Sequence, residues 1–283
     1  MKNILIATDL SPAARNATDY GLRLAAALGA QVTLMSAYEQ LPLLAVDSLA
    51  LLTTGDVEGI AQQKLQHEVE NLTGEHSLPV RILVREGNST QAVLDAADEI
   101  GADLIVAGIT DTAKGIRKTF GSTATGLARK TKIPLLIVPG KTRYEKPVGI
   151  GLADDVLRNL DKGLPSYLQA LAEGLQAKLY LIRIFNREAG ECVEILHQSA
   201  NHNQSIGAFT PLEAVPIDRS IAQVLKTFVE THPISILALR PREKSLPDQW
   251  VNGSTTREMI FESIIPLLIL PETTAGKLHP ATG

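Results

Sequence analysis

Two short apolar runs end in residues that can do chemistry. Ile4–Ala7 is followed by Thr8-Asp9, and Leu104–Ala107 by Gly108. A carboxylate just past a strand can accept hydrogen bonds from a ribose hydroxyl or an adenine amine. The same Asp beside Ser11 also suits a turn or a helix cap. A glycine at a strand end lets backbone come close to a ligand. Further on, Gly121-Ser122 opens a helical pattern. Its unpaired N–H groups and hydroxyl suit a phosphate, although such a pair can equally serve as a plain cap. Lys114, Arg117 and Lys118 lie between the two glycines. They read as a solvated basic loop or as charge facing that phosphate.

Other candidate chemistry falls away on spacing. Gly149-Ile150-Gly151-Leu152-Ala153-Asp154 approaches a dinucleotide fingerprint but lacks its third glycine, and it reads as a strand rather than the turn after one. The sequence contains no Gly-x4-Gly-Lys-Ser/Thr loop. Cys192, His197 and His202 recur every five residues, which on a helix separates them by about 140° each and argues against a metal site. His67 and His76 fall on a polar helix and its exit, and no Ser/His/Asp or Cys/His constellation emerges. We therefore expect neither catalytic residues nor a metal site.

The elements that must position Asp9, Gly108 and Gly121 alternate between strand and helix. Lys2–Thr8 reads as a buried strand. Ser11-Pro12 starts a helix carrying Ala17, Tyr20, Leu24 and Leu28, and Gly29 stops it. Val32–Ala37 is strand two, Val57–Leu72 a helix with a polar face, and Val80–Val84 strand three. Asn88 or Ser89 caps a helix over Ala92, Val93, Ala96, Ala97 and Ile100 that ends at Gly101. Leu104–Ala107 is strand four, a helix begins near Ser122, and Leu135–Val138 is strand five. Such alternation implies a parallel sheet with helices on both faces and a ligand site beyond the carboxyl ends of the strands.

The 283 residues hold this pattern twice. Ile133-Pro134-Leu135-Leu136-Ile137-Val138-Pro139 returns as Ile265-Pro266-Leu267-Leu268-Ile269-Leu270-Pro271, an offset of 132. Gly121-Ser122-Thr123 meets Gly253-Ser254-Thr255, and Gln91 meets Gln223, at the same offset. Near the start, Ile4–Leu10 pairs with Ile150–Val156 at 146, and Leu24-Ala25-Ala26 with Leu171-Ala172-Glu173 at 147. The second copy thus lacks about fifteen residues in its middle. We expect two tandem α/β domains, each a five-stranded, parallel, doubly wound sheet of nucleotide-binding type. Their expected bounds are 1–139 and 148–272, with a linker at 140–147 and a tail at 273–283.

These residues resemble the universal stress protein family. Its ATP-binding members carry Gly-x2-Gly-x9-Gly-Ser/Thr after strand four, an Asp after strand one and a closing Pro-x-Leu-Ile-Val-Pro strand. The first copy matches at Asp9, Gly108, Gly121, Ser122 and the closing strand, while Asp111 replaces the second glycine. The resemblance implies a stress-response module that binds ATP or AMP without rapid turnover, slow ATPase activity aside. It implies that Asp9 meets the adenosine and that Ala37 lines the adenine pocket. Gly108, Thr110 and Asp111, with Gly121, Ser122 and Thr123, would hold the phosphates. Asp111 faces phosphate unfavourably unless it helps to hold a magnesium ion. In the second copy Arg240 and Glu243 replace both early glycines, and Asp154 adjoins the surviving Asp155, so we expect no such site there. The contrasting reading is a degenerate scaffold that acts through protein contacts.

Composition narrows the partners. A net charge of −4 gives no electrostatic reason to bind nucleic acid or an anionic membrane. A lone cysteine, Cys192, excludes an intrachain disulfide and fits a reducing cytoplasm. No apolar stretch reaches membrane-spanning length. Many relatives dimerise through their last strands, so Leu135–Val138 and Leu267–Leu270 are expected to pair as an intrachain pseudo-dimer, compatible with a further homodimer.

Asp111 supplies a test. A carboxylate near a triphosphate opposes it by about 1–2 kcal/mol after screening. That corresponds to roughly ten- to thirty-fold in affinity. Asp111→Gly should tighten ATP binding by about that factor, and AMP binding by less, in calorimetric titrations. A variant that binds magnesium-ATP more weakly contradicts repulsion and assigns the carboxylate to the metal.

Overall fold

In the computed structural model, the described residues are 1–39, 54–73, 78–109, 122–154, 166–187, 190–198, 209–216, 227–239 and 265–271. They form two compact units, residues 1–144 and 145–283.

The first unit runs β1 (Asn3–Ala7), α1 (Pro12–Leu28), β2 (Gln31–Tyr38), α2 (Thr54–Thr73), β3 (Val80–Glu86), α3 (Ser89–Glu99), β4 (Leu104–Ile109), α4 (Ser122–Lys130) and β5 (Leu135–Pro139). Its strand order is β3-β2-β1-β4-β5, and all pairs are parallel. The chain moves outward in one direction through β2 and β3, then returns to β4 on the other side of β1. Right-handed crossovers therefore put α1 and α2 on one face and α3 and α4 on the other. Ile4, Leu5, Ile6, Ile105 and Val106 on the central strands are fully buried, as a sheet covered on both faces requires.

Local chemistry sets the ends of the helices. Ser11 caps α1, its Oγ accepting from the Ala14 N–H at 3.2 Å, and Pro12 follows at the first helical position. Gly29 ends α1 at φ 62°, a left-handed conformation that glycine adopts without strain. Asn88 caps α3, accepting from Thr90 and Gln91. Between α1 and α2, Arg15 Nε lies 3.0 Å from the buried Glu68 Oε1. The angles do not make this a hydrogen bond, so the contact is an ion pair.

Residues 140–144 do not behave as a free linker. The buried Asn16 of α1 donates to the carbonyls of Pro139 and Thr142 and accepts from Arg143. Tyr144 packs edge-on against Tyr20, with ring centroids 5.1 Å apart. Burial raises the pKa of the Tyr20 hydroxyl well above its usual value, with the Tyr144 phenol adding to the shift. The first unit therefore extends through Tyr144, five residues beyond the bound expected from the sequence.

The second unit runs β6 (Gly149–Asp154), α5 (Ser166–Leu175), β7 (Lys178–Arg187), β8 (Gly190–Gln198), β9 (Phe209–Pro216), β10 (Ile236–Leu239) and β11 (Leu267–Ile269). Its order is β11-β10-β6-β7-β8-β9. The strands from β11 to β7 are parallel, whereas β8 runs against both β7 and β9. The expectation of a second five-stranded, all-parallel sheet is thus corrected: the described residues form six strands with an antiparallel segment. The reason is chain length. Only residues 188–189 separate β7 from β8, enough for a hairpin but far short of the dozen or so a parallel crossover needs. Gly149–Asp154 is a strand, as read from the sequence. Cys192 and His197 lie on a strand rather than a helix, and among the described residues no His, Cys, Asp and Glu cluster could hold a metal. No described helix is long and apolar enough to cross a membrane.

Candidate functional site

Strand order locates the site. β1 and β4 are neighbours whose following helices go to opposite faces, so a crevice opens beyond their carboxyl ends. A cavity of about 140 Å³ lies there. Its walls come from the ends of β1, β2 and β4 and from the first turns of α1, α3 and α4.

The turn from β1 into α1 is held by its own side chains. Thr8 extends the sheet, its N–H donating to the Met35 carbonyl at 2.9 Å. Thr8 Oγ1 accepts from the Leu10 N–H at 3.0 Å, and Asp9 Oδ1 accepts from the Ser11 N–H at 2.9 Å. Leu10 sits at φ 61°, a left-handed conformation costing a leucine about 1–2 kcal/mol. Three successive side-chain bonds, from Thr8, Asp9 and Ser11, oppose that strain and carry the exposed Asp9 into the cavity wall.

The lining is graded. Ala7, Met35, Val93, Ala107 and Ala124 are buried and apolar, whereas Asp9 is exposed and Ser11, Ser89 and Thr123 are partly so. Apolar groups, with the buried Thr8, thus form the floor, and exposed or partly exposed polar groups the mouth. Three helix N-termini border that mouth, each carrying a partial positive charge of roughly half a unit. A flat apolar group with a polar or anionic tail suits such a shape.

Gly108 lines the cavity for a reason the sequence did not reveal. A Cβ built on it would lie 2.5 Å from the Ala13 carbonyl oxygen and 3.1 Å from the Ala14 Cα. The glycine therefore admits the backbone of α1 against β4.

Of the residues chosen from the sequence, Asp9, Ala37, Gly108 and Thr123 come together around the cavity. Ser122 begins α4 beside Thr123. Thr110, Asp111 and Gly121 lie outside the described residues. Sequence reasoning missed Met35, Ser89 and Val93. Met35 was legible as the same-face neighbour of Ala37 two positions earlier. Ser89 and Val93 follow strand three, but α3 crosses back toward β4 and so delivers its first turn to the crevice.

Residues 1–139 match the family model described as the universal stress protein family. A universal stress protein from Archaeoglobus fulgidus superposes with a TM-score of 0.67 at 14% identity, covering 95% of this chain and 98% of its own. A functionally unknown protein from Pseudomonas aeruginosa superposes at 0.57 and 15% identity, covering 96% and 92%. A universal stress protein family member from Burkholderia pseudomallei aligns at 25% identity over 49% of this chain and 96% of its own, with a TM-score of 0.39. No curated protein matches the chain. The fold is accordingly the α/β fold of the universal stress protein domain, with a mostly parallel sheet.

Gly108→Ala tests how this site is built. The added methyl should push α1 off β4 and lower stability by about 1–3 kcal/mol in denaturant unfolding. Unchanged stability contradicts the close approach.

Proposed function

We propose that the chain is a stress-response module whose first unit binds an adenine nucleotide, ATP or AMP, as a ligand rather than a substrate. The observation that carries this reading is the cavity itself. It has an apolar floor, a polar mouth and three helix N-termini, and it opens at the carboxyl ends of β1, β2 and β4. The base would lie between the alanines of the floor, the ribose would meet Asp9, and the phosphates would meet the first turns of the helices. Gly121, Ser122, Thr123 and the preceding loop would complete the phosphate site, with magnesium where Asp111 favours it. Among the described residues around this cavity, no general base is paired with a nucleophile, which supports binding without rapid turnover.

The two units are proposed to be diverged copies in tandem. The support is that β6, β7, β10 and β11 fall at the offsets at which the sequence of the first unit recurs. One nucleotide is then expected per chain. Asp111 in place of the family glycine favours the alternative of a non-binding scaffold.

Protein purified without added ligand and then denatured should release an adenine nucleotide identifiable by chromatography. Calorimetry on the whole chain should give one site, and Ala37→Leu, which fills the cavity, should weaken binding at least tenfold. Two sites per chain, or binding indifferent to Ala37→Leu, overturns the assignment. Absence of binding by the wild type leaves the scaffold reading.

A further inference from the structure

We propose that Met35 sets the size of the ring this cavity admits, so that the pocket takes a purine and refuses one enlarged on its inner edge. This rests on the nucleotide reading above. Met35 and Ala37 stand two apart on β2, share one face of the strand and both line the cavity. Ala37 is partly exposed, whereas Met35 is fully buried and lies roughly 6–7 Å further from the carboxyl edge. Its backbone is pinned in register with Ala7, and its carbonyl holds the Thr8 N–H.

Among the described apolar lining residues, only Met35 and Val93 are larger than alanine. Val93 is β-branched and stiff, so it is a fixed wall. Met35 has three rotatable bonds and a polarisable thioether suited to the edge of an aromatic ring. With the polar groups and helix N-termini at the mouth, a nucleotide enters base first. The inner edge of its base, the one bearing the exocyclic amine, then meets Met35. Neighbouring alanines leave space without limiting it, and the limit falls on this one side chain.

The test compares AMP with N6-benzyl-AMP by calorimetry on the whole chain. Wild type should bind the analogue at least tenfold more weakly than AMP. Met35→Ala should bind the analogue at least tenfold more tightly than wild type does, and Met35→Val should move the same way by less. Met35→Leu, close in volume, should keep the wild-type order. Analogue affinity unchanged in Met35→Ala and Met35→Val, with AMP still bound by wild type, overturns the role of Met35. If AMP fails to bind wild type, the nucleotide reading alone has failed, and indole then decides the size limit. A larger rise in melting temperature with indole in Met35→Val than in wild type upholds it, and an equal rise overturns it.

Discussion

The first unit depends on how closely α1 lies against its sheet. At Gly108 a side chain would strike the Ala13 carbonyl, and at Gly21 a Cβ would come within 2.7 Å of Ile6 Cδ1. The face that α1 turns inward carries Ala13, Ala14, Ala17, Gly21 and Ala25, all buried. Alanine is also the best helix former, so most residues that permit the approach also hold the helix. Because α1 sits this near, Ala13 and Ala14 become cavity wall and Ser11 comes to its mouth. The chain leaving β5 fastens to the same helix through Asn16 and Tyr20.

That approach also explains the strained turn before α1. β1 must stop, reverse the use of its backbone donors and enter a helix within four residues, Thr8 to Ser11. Leu10 takes up the left-handed conformation, and hydrogen bonds to Thr8 and Asp9 hold the residues around it. Strain of this kind persists where surrounding structure over-determines it, and it gathers at binding sites. Asp9 thus reaches the cavity through a turn it helps to form. Of its two readings from the sequence, the turn former is the one its bond to the Ser11 N–H displays.

Much of this was legible because it is local. The caps at Ser11 and Asn88, the stop at Gly29 and the strand–helix alternation of the first unit follow from residue type and spacing. Asp9 and Gly108 were singled out by their places at strand ends, and Ala37 and Thr123 by the family resemblance; all four line the cavity. What was not legible is long-range. Gly108 reads as a ligand contact until the Ala13 carbonyl is seen beside it. Ser89 and Val93 join the site only because α3 doubles back across the sheet. Arg143 and Tyr144 look like linker until Asn16 and Tyr20 are found beneath them. In the second unit, the missing fifteen residues did not reveal that β8 would enter the sheet antiparallel to β7.

The central claim is that a nucleotide occupies the crevice where α1, α3 and α4 begin. A ligand there would cover their first turns, so amide hydrogen exchange reads the claim directly. With AMP added to the whole chain, exchange should slow at residues 13–15, 90–92 and 123–126, whose helices border the cavity, while β6, α5 and β10 keep their rates. Protection confined to the second unit, or none at those first turns while AMP binds, would contradict the account.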